Sequence, residues 1–370
     1  MIPFFRKIRK KLAGENQFPT YSNYVIRERV LPVAGILKTQ SVLWLLAILI
    51  GCTSSDKQPL IQDLDTMHPP DSNQIWLSHE HILVDFIGAD SIQPDTWNHD
   101  SIIKEVLPSL DDLKEFGVDY FVDATPNYLG RDVVLLEKIS HKTGLRILTN
   151  TGLYGARNNK FIPSFAHQMT AEDLAQIWID EFENGIDHTA IKPGFIKIGI
   201  DTNDPLHPMH QKLVKAAALT HMKTGLTIAS HTGEAAGLWP QLAILKEMGV
   251  SPQAFIWVHA QTEEDNERYL EAAEMGCWIS LDGLGWDIEK HLAKILFAKR
   301  NGILDRILIS HDSGWFDPQK EKQTIKPYTA IFKTLYEELK MQGFTDEEFN
   351  LLVSVNPVKA YSIKIKNHSE

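Results

Sequence analysis

The chain has 370 residues, 43% of them hydrophobic and 23% charged, and its formal net charge is −11. That composition fills a large core and excludes a disordered or fibrous protein. The acidic balance excludes nucleic acid as a natural partner, because a negative surface repels a polyanion.

The first fifty residues differ from the rest. They hold basic clusters (Arg6, Lys7, Arg9, Lys10 and Lys11, then Arg27, Arg29 and Lys38) and an unbroken apolar run from Val42 to Ile50. The run is too short to cross a bilayer and has the length of a signal-peptide core. It closes on Leu49-Ile50-Gly51-Cys52, which resembles the bacterial lipobox, where the signal is cut before the cysteine and the cysteine is acylated. The resemblance implies a signal peptide over 1–51, a lipidated Cys52 and a membrane lipoprotein whose domain stands outside the cytoplasm. An uncleaved short anchor would put the domain on the same side. The segment before Lys38 exceeds a usual n-region, which leaves the translation start open. Beyond residue 51 there are 29 basic and 46 acidic side chains, a net charge of −17. With Cys52 lipidated, Cys277 has no partner for a disulfide and reads as a small buried residue.

Residues 52–72 are polar, contain proline and show no apolar period, the signature of a tether. A single domain over 73–366 and a short tail over 367–370 follow. Within the domain the spacing predicts a strand at Gln74–Leu77, a helix from Ile102 to Phe116 and a strand at Tyr120–Ala124. A helix over Val133–Thr143, a strand over Arg146–Thr151 and a helix over Ala171–Asn184 come next, the helices closed by Gly144 and Gly185. The second half repeats the rhythm: strands at Phe195–Gly199, Thr227–Ser230, Phe255–Val258, Trp278–Leu281 and Ile307–Ser310. Its helices fall over Pro208–Thr224, Gln241–Met248, Glu263–Met275, Ile288–Lys299 and Tyr328–Gln342. Eight strand–helix units of this kind predict an α/β fold, a single-domain (β/α)₈ TIM barrel. A last helix starts at the capping pattern Thr345/Glu348 and is expected to stop before Pro357.

In such a barrel the chemistry sits at the C-terminal ends of the strands. The first strand ends in His79-Glu80-His81, whose two imidazoles project to one side and suit a shared metal ion, although such a pair alone is also two ordinary histidines. The fourth strand carries Lys197 in an apolar setting, where a buried ammonium is costly. The fifth and sixth strands end in His231 and His259, and the eighth in Ser310-His311-Asp312. Alternation turns Glu80 and His311 away from the cluster. Asp282, after the seventh strand, reads equally as support for the cluster or as a turn residue.

These residues, with Ala124-Thr125-Pro126, Gly130-Arg131-Asp132, Thr151-Gly152-Leu153-Tyr154 and Asn356-Pro357, resemble the phosphotriesterase family of the amidohydrolase superfamily over about residues 73–362. The resemblance implies two divalent metal ions, with zinc the expected metal. His79, His81 and Asp312 would bind one and His231 and His259 the other. Lys197, modified by carbon dioxide to a carbamate (N6-carboxylysine), would bridge them. It implies a hydrolase in which a metal-bridging hydroxide attacks and Asp312 takes the proton.

Tyr154 stands where lactone-hydrolysing relatives place a tyrosine, so a lactone or carboxylic ester is the expected substrate. A phosphoester is the alternative, and a barrel that binds a small molecule without turnover is a third reading. Gly283 stands where organophosphate hydrolases carry a histidine and acyl-homoserine lactonases an arginine, which weakens both assignments. Arg157, Lys160, Trp286, Trp315 and Phe316 lie on the loops that would shape the pocket or simply pack on one another. The expected partners are a small-molecule substrate and the membrane through the lipid, with a homodimer as one open assembly.

Overall fold

The computed structural model describes residues 59–363 apart from 72 and 204. The expected signal peptide, Cys52 and the tail over 367–370 fall outside the described residues. The described strands are β1 (Ile61–Gln62), β2 (Met67–His68), β3 (Ile75–Glu80), β4 (Val118–Asp123), β5 (Arg146–Leu148), β6 (Asn150–Thr151), β7 (Phe195–Gly199), β8 (Ile228–His231), β9 (Phe255–Val258), β10 (Trp278–Leu281) and β11 (Ile307–Ile309).

Strands β3 to β11 form the barrel. β3-β4-β5 and β6 through β11 are two runs of parallel ladders, and β5 and β6 are one barrel strand interrupted at Thr149. The seam between β3 and β11 is closed by Ser78 Oγ donating to the Ile309 carbonyl (3.0 Å) and by the His79 N–H donating to Ser310 Oγ (2.9 Å). Helices between the strands cover the outside, as a parallel sheet with both faces buried requires.

Local chemistry explains most helix ends. In α2 (Val133–Thr143, the second described helix after α1, His99–Asp111) the Asp132 carboxylate accepts the Leu135 N–H, and Gly144 ends the helix at φ 77°. The helix over Ala171–Asn184 starts from a reciprocal capping box between Thr170 and Asp173.

Four expectations change. The helix after β8 begins at Ala235 and carries Pro240 in its second turn, where the missing N–H forfeits a bond to the Ala236 carbonyl. The helix after β9 is shorter than expected, Glu267–Glu274, because 260–262 form a tight turn first. The closing helix starts at Ile331 with a π-helical turn over Ile331–Leu335. The helix from Thr345 does not stop before Pro357; it widens into a π-turn over Leu351–Val355 and continues as Asn356–Tyr361. Proline lacks the donor for a regular helical bond, and the widened turn lets the chain pass it.

The expected tether is also shorter where it is described. Strands β1 and β2 pair antiparallel, and Ile61 and Leu64 are buried. Ile61 joins Trp76, Tyr120, Leu148, Phe195 and Tyr361 in a cluster inside the N-terminal end of the barrel. Trp76 and Tyr120 stack there with ring centres 3.9 Å apart. The Leu64 N–H donates to the Ile147 carbonyl, and the Tyr361 hydroxyl donates to the Ser78 carbonyl (2.7 Å). The barrel is therefore plugged at one end, and its opening lies at the other.

Candidate active site

Six side chains from five strands meet at that opening. His79 and His81 leave β3 on the same side, with ring centres 5.3 Å apart. His231 ends β8, and His259 follows β9 with ring centres 4.3 Å from it. Lys197 lies mid-strand in β7 and is 2% exposed. Asp312, just after β11, places Oδ1 3.1 Å from His81 Nε2 and 3.6 Å from His79 Nε2. All six line one cavity of about 370 Å³, as does Tyr154.

Two of these residues take a left-handed backbone, His259 at φ 61° and Asp312 at φ 49°. Non-glycine residues avoid that region, and such strain gathers at functional sites. Two glycines make the packing possible. A Cβ on Gly152 (φ 124°) would stand 2.0 Å from the Lys197 carbonyl oxygen, and one on Gly199 would stand 2.6 Å from the Tyr154 ring.

Charge follows burial. Burial pulls the Lys197 amine down to about 8, against Asp282 and Asp312, which raise it. Burial also holds His79 and His231 well below the usual imidazole value, reinforced by Lys197 at His79 and by His259 at His231. Both imidazoles are thus neutral at pH 7, the form that donates a lone pair to a metal. At His259 burial opposes the charge, but Asp282 and Asp312 outweigh it and raise the group. At Asp312 burial is outweighed in turn by His259, His81 and His79, which hold the carboxyl below the ordinary carboxylate range.

A ring of partners orients the cluster. His259 Nδ1 is 2.6 Å from Asp282 Oδ1, and the His259 N–H donates to Asp282 Oδ2 (3.1 Å). His81 Nδ1 is 2.7 Å from Thr125 Oγ1. Glu80 points the other way: it receives Ser310 Oγ (2.8 Å), the His311 N–H (3.0 Å) and His311 Nδ1 (2.6 Å), with both side chains fully buried. Asp282 thus supports the cluster, and Thr125 joins it. In the sequence each is a polar residue shortly after an apolar strand, and Thr125 also belongs to the Ala124-Thr125-Pro126 stretch.

The donor set suits divalent cations. One donor atom each from His79, His259 and Asp312 lies within 4.8 Å of the others. His79 Nε2 is buried with no hydrogen-bond partner. A buried ring nitrogen left without a partner is costly unless something completes it. Imidazole and carboxylate donors are those zinc and similar ions take.

The rest of the wall is mostly apolar: Val84, Phe86, Leu129, Trp286 and Trp315. Trp286 reaches over from the loop after β10 and donates its indole N–H to the Asp312 carbonyl (2.9 Å). Tyr154 is buried in the wall, with its ring 5.0 Å from His231. Burial pushes its hydroxyl up, so it keeps its proton. Of the other loop residues, Arg157 lines the cavity, whereas Lys160 instead donates to the Phe86 carbonyl (2.6 Å). Phe316 is bonded through its backbone to Ile82 and Val84 and does not line this cavity.

Comparison with known proteins gives one consistent result. The family model "Phosphotriesterase family" matches residues 63–361. The phosphotriesterase homology protein of Escherichia coli is 26% identical over 288 residues, covering 76% of this chain and 95% of that one. The aryldialkylphosphatase of Saccharolobus solfataricus is 28% identical over 300 residues, 77% and 94% of the two chains. The N-acetyltaurine hydrolase of Mus musculus is 26% identical over 269 residues, 68% and 75%. The crystal structure of the Escherichia coli protein, complexed with phosphate in its active site, superposes with a TM-score of 0.66 at 24% identity. It covers 79% of this chain and 99% of that one.

Proposed function

The chain belongs to the phosphotriesterase family of hydrolases, and from that premise we propose that it is a binuclear metal-dependent hydrolase of lactones or similar carboxylic esters. The convergence of four histidines, Lys197 and Asp312 on one cavity carries this reading. His79, His81 and Asp312 would hold one cation, and His231 and His259 the second, with Lys197 between them. Zinc fits the donors.

Lys197 would be carboxylated. Its neutral amine adds to the carbon of carbon dioxide, the N–C bond forms and a proton leaves to water, giving a carbamate anion. Burial prepares the step by disfavouring the ammonium. When bound, the two cations would acidify water and polarise the substrate's reacting oxygen. Asp312 stays ionised at neutral pH and stands beside His81, so it is placed to accept the proton of the attacking water and pass it to the leaving group. The Tyr154 hydroxyl makes no hydrogen bond among the described residues and can donate to a carbonyl oxygen.

The similarity to an aryldialkylphosphatase supports a second reading, a phosphoester substrate. One experiment separates the readings: metal content per chain, with hydrolysis of lactones, carboxylic esters and phosphotriesters before and after chelation. Two metals per chain and chelator-sensitive turnover of lactones or esters are expected. Turnover of phosphotriesters alone would favour the second reading, and metal without turnover of any class would favour a binding protein.

We further infer, from Leu49-Ile50-Gly51-Cys52, a lipid-anchored protein outside the cytoplasm. Cys52→Ala should release it into the soluble fraction with its activity unchanged. A variant that stays with the membrane would refute the anchor.

A further inference from the structure

Arg157 follows Tyr154 by three residues on the loop after β6 and lines the same cavity. Its guanidinium carbon lies 5.0 Å from the centre of the Phe86 ring. Among the described residues the guanidinium makes no ion pair. Other basic side chains differ: Arg131 forks onto both oxygens of Glu181 (2.9 and 2.7 Å), and Lys160 is tied to the Phe86 carbonyl (2.6 Å).

The loop presents this cation in a fixed place. Arg157, Asn158 and Asn159 all take left-handed backbone, at φ 60°, 57° and 60°. Asp201 holds that shape by accepting the N–H groups of Arg157 (2.7 Å) and Asn158 (2.9 Å). Both Asp201 oxygens are thereby engaged with the backbone, and Asp201 forms no ion pair with the guanidinium. Arg157 is exposed at the rim of a cavity whose wall also carries Phe86, Trp286 and Trp315, so its guanidinium is free to meet an anionic group that enters there.

Resting on the ester-hydrolase reading, we propose that Arg157 is a specificity residue that binds a carboxylate carried by the substrate, away from the bond that is cut. The guanidinium fork matches a carboxylate with two parallel hydrogen bonds. The Phe86 face shields one side of the cation from water and strengthens the pair. An uncharged substrate of the same shape leaves Arg157 hydrated and gains nothing from it, so the enzyme selects by charge.

The test compares two phenyl esters on the metal-loaded full chain, monophenyl adipate, which bears a free carboxylate, and phenyl hexanoate, which does not. The ratio of their kcat/KM values should favour the adipate. It should fall about 10-fold to 100-fold in Arg157→Gln, through KM, and partly recover in Arg157→Lys. An unchanged ratio in a variant with the wild-type circular dichroism spectrum overturns the proposal. If neither ester is cleaved, the ester reading fails and binding decides. Hexanoate and hexanamide are then titrated against the tryptophan fluorescence of wild type and Arg157→Gln. Loss of the preference for hexanoate in the variant supports the proposal, and equal preference in both proteins overturns it.

Discussion

His259 and Asp282, on neighbouring strand ends, stand 2.6 Å apart between Nδ1 and Oδ1, both inside the barrel mouth. An ionised carboxylate only accepts, so Nδ1 carries the proton and the other ring nitrogen is left to donate its lone pair. Asp282→Asn removes that acceptor's charge. Metal affinity should fall about 10-fold to 100-fold, measured as metal retained after dialysis against a buffered chelator. Wild-type retention would show that the contact does not govern binding.

Lys197 offers a chemical signature. Metal-loaded protein prepared with ¹³C-bicarbonate should show a carbamate carbon by NMR that is absent from Lys197→Arg, because a guanidinium does not carboxylate. Metal content in the variant should fall below that of wild type. A carbamate signal in the variant would place the modification on another lysine.

Acid should destabilise the metal-free chain. His79, His231, His210 and His291 are all lowered in the folded state, with burial the leading cause at each. Between their lowered values and the unfolded value of 6.5 the unfolded chain holds more protons, so stability rises with pH there and is lost on acidification. His259, raised by Asp282 and Asp312 against burial, acts in the opposite sense, and its contribution is lost as pH rises through its raised value. Lys197, lowered by burial, acts in the same sense as the four lowered histidines but at higher pH: its buried ammonium costs stability below about 8, and that cost is relieved as pH rises toward the unfolded value of 10.5. Four lowered histidines against one raised predict a urea midpoint after chelation that is lower at pH 5 than at pH 7. A higher midpoint at pH 5 would contradict this balance.

His311→Ala leaves the Glu80 carboxylate buried without its partner. Losing a hydrogen bond to a buried charged group costs about 1.5–3 kcal/mol, readable from urea denaturation. Metal content per folded chain should stay near the wild-type value, because neither residue faces the cavity cluster. Full stability combined with lost metal would assign His311 to the cluster instead.

Legibility differed by cause. Asp132, Gly144, Thr170 and Asp173 mark helix ends through their own side chains or backbone freedom, and those boundaries read directly from the sequence. The π-turn before Pro357 and the helix that passes Pro240 depend on tertiary packing that no local pattern encodes. The hairpin over 60–68 has strands of two residues each, too short for a period, and becomes visible only through the contacts of Ile61 and Leu64. The site shows the same division. Each of His79, His81, His231, His259 and Asp312 ends an apolar run and so announces itself. The pairings of His81 with Thr125 and of His259 with Asp282 arise from the alignment of neighbouring strands, which single strands do not carry.

The small hairpin against the barrel floor gives the molecule a handle and a working end at opposite poles. Residue 59 leads into it, and the Gln62 carbonyl lies against Gly194 just before β7, far along the strands from His231 and Asp312. A bead, a fused protein or any other support joined ahead of residue 59 would grip the blunt pole. Diffusing molecules would still meet the open pole head on.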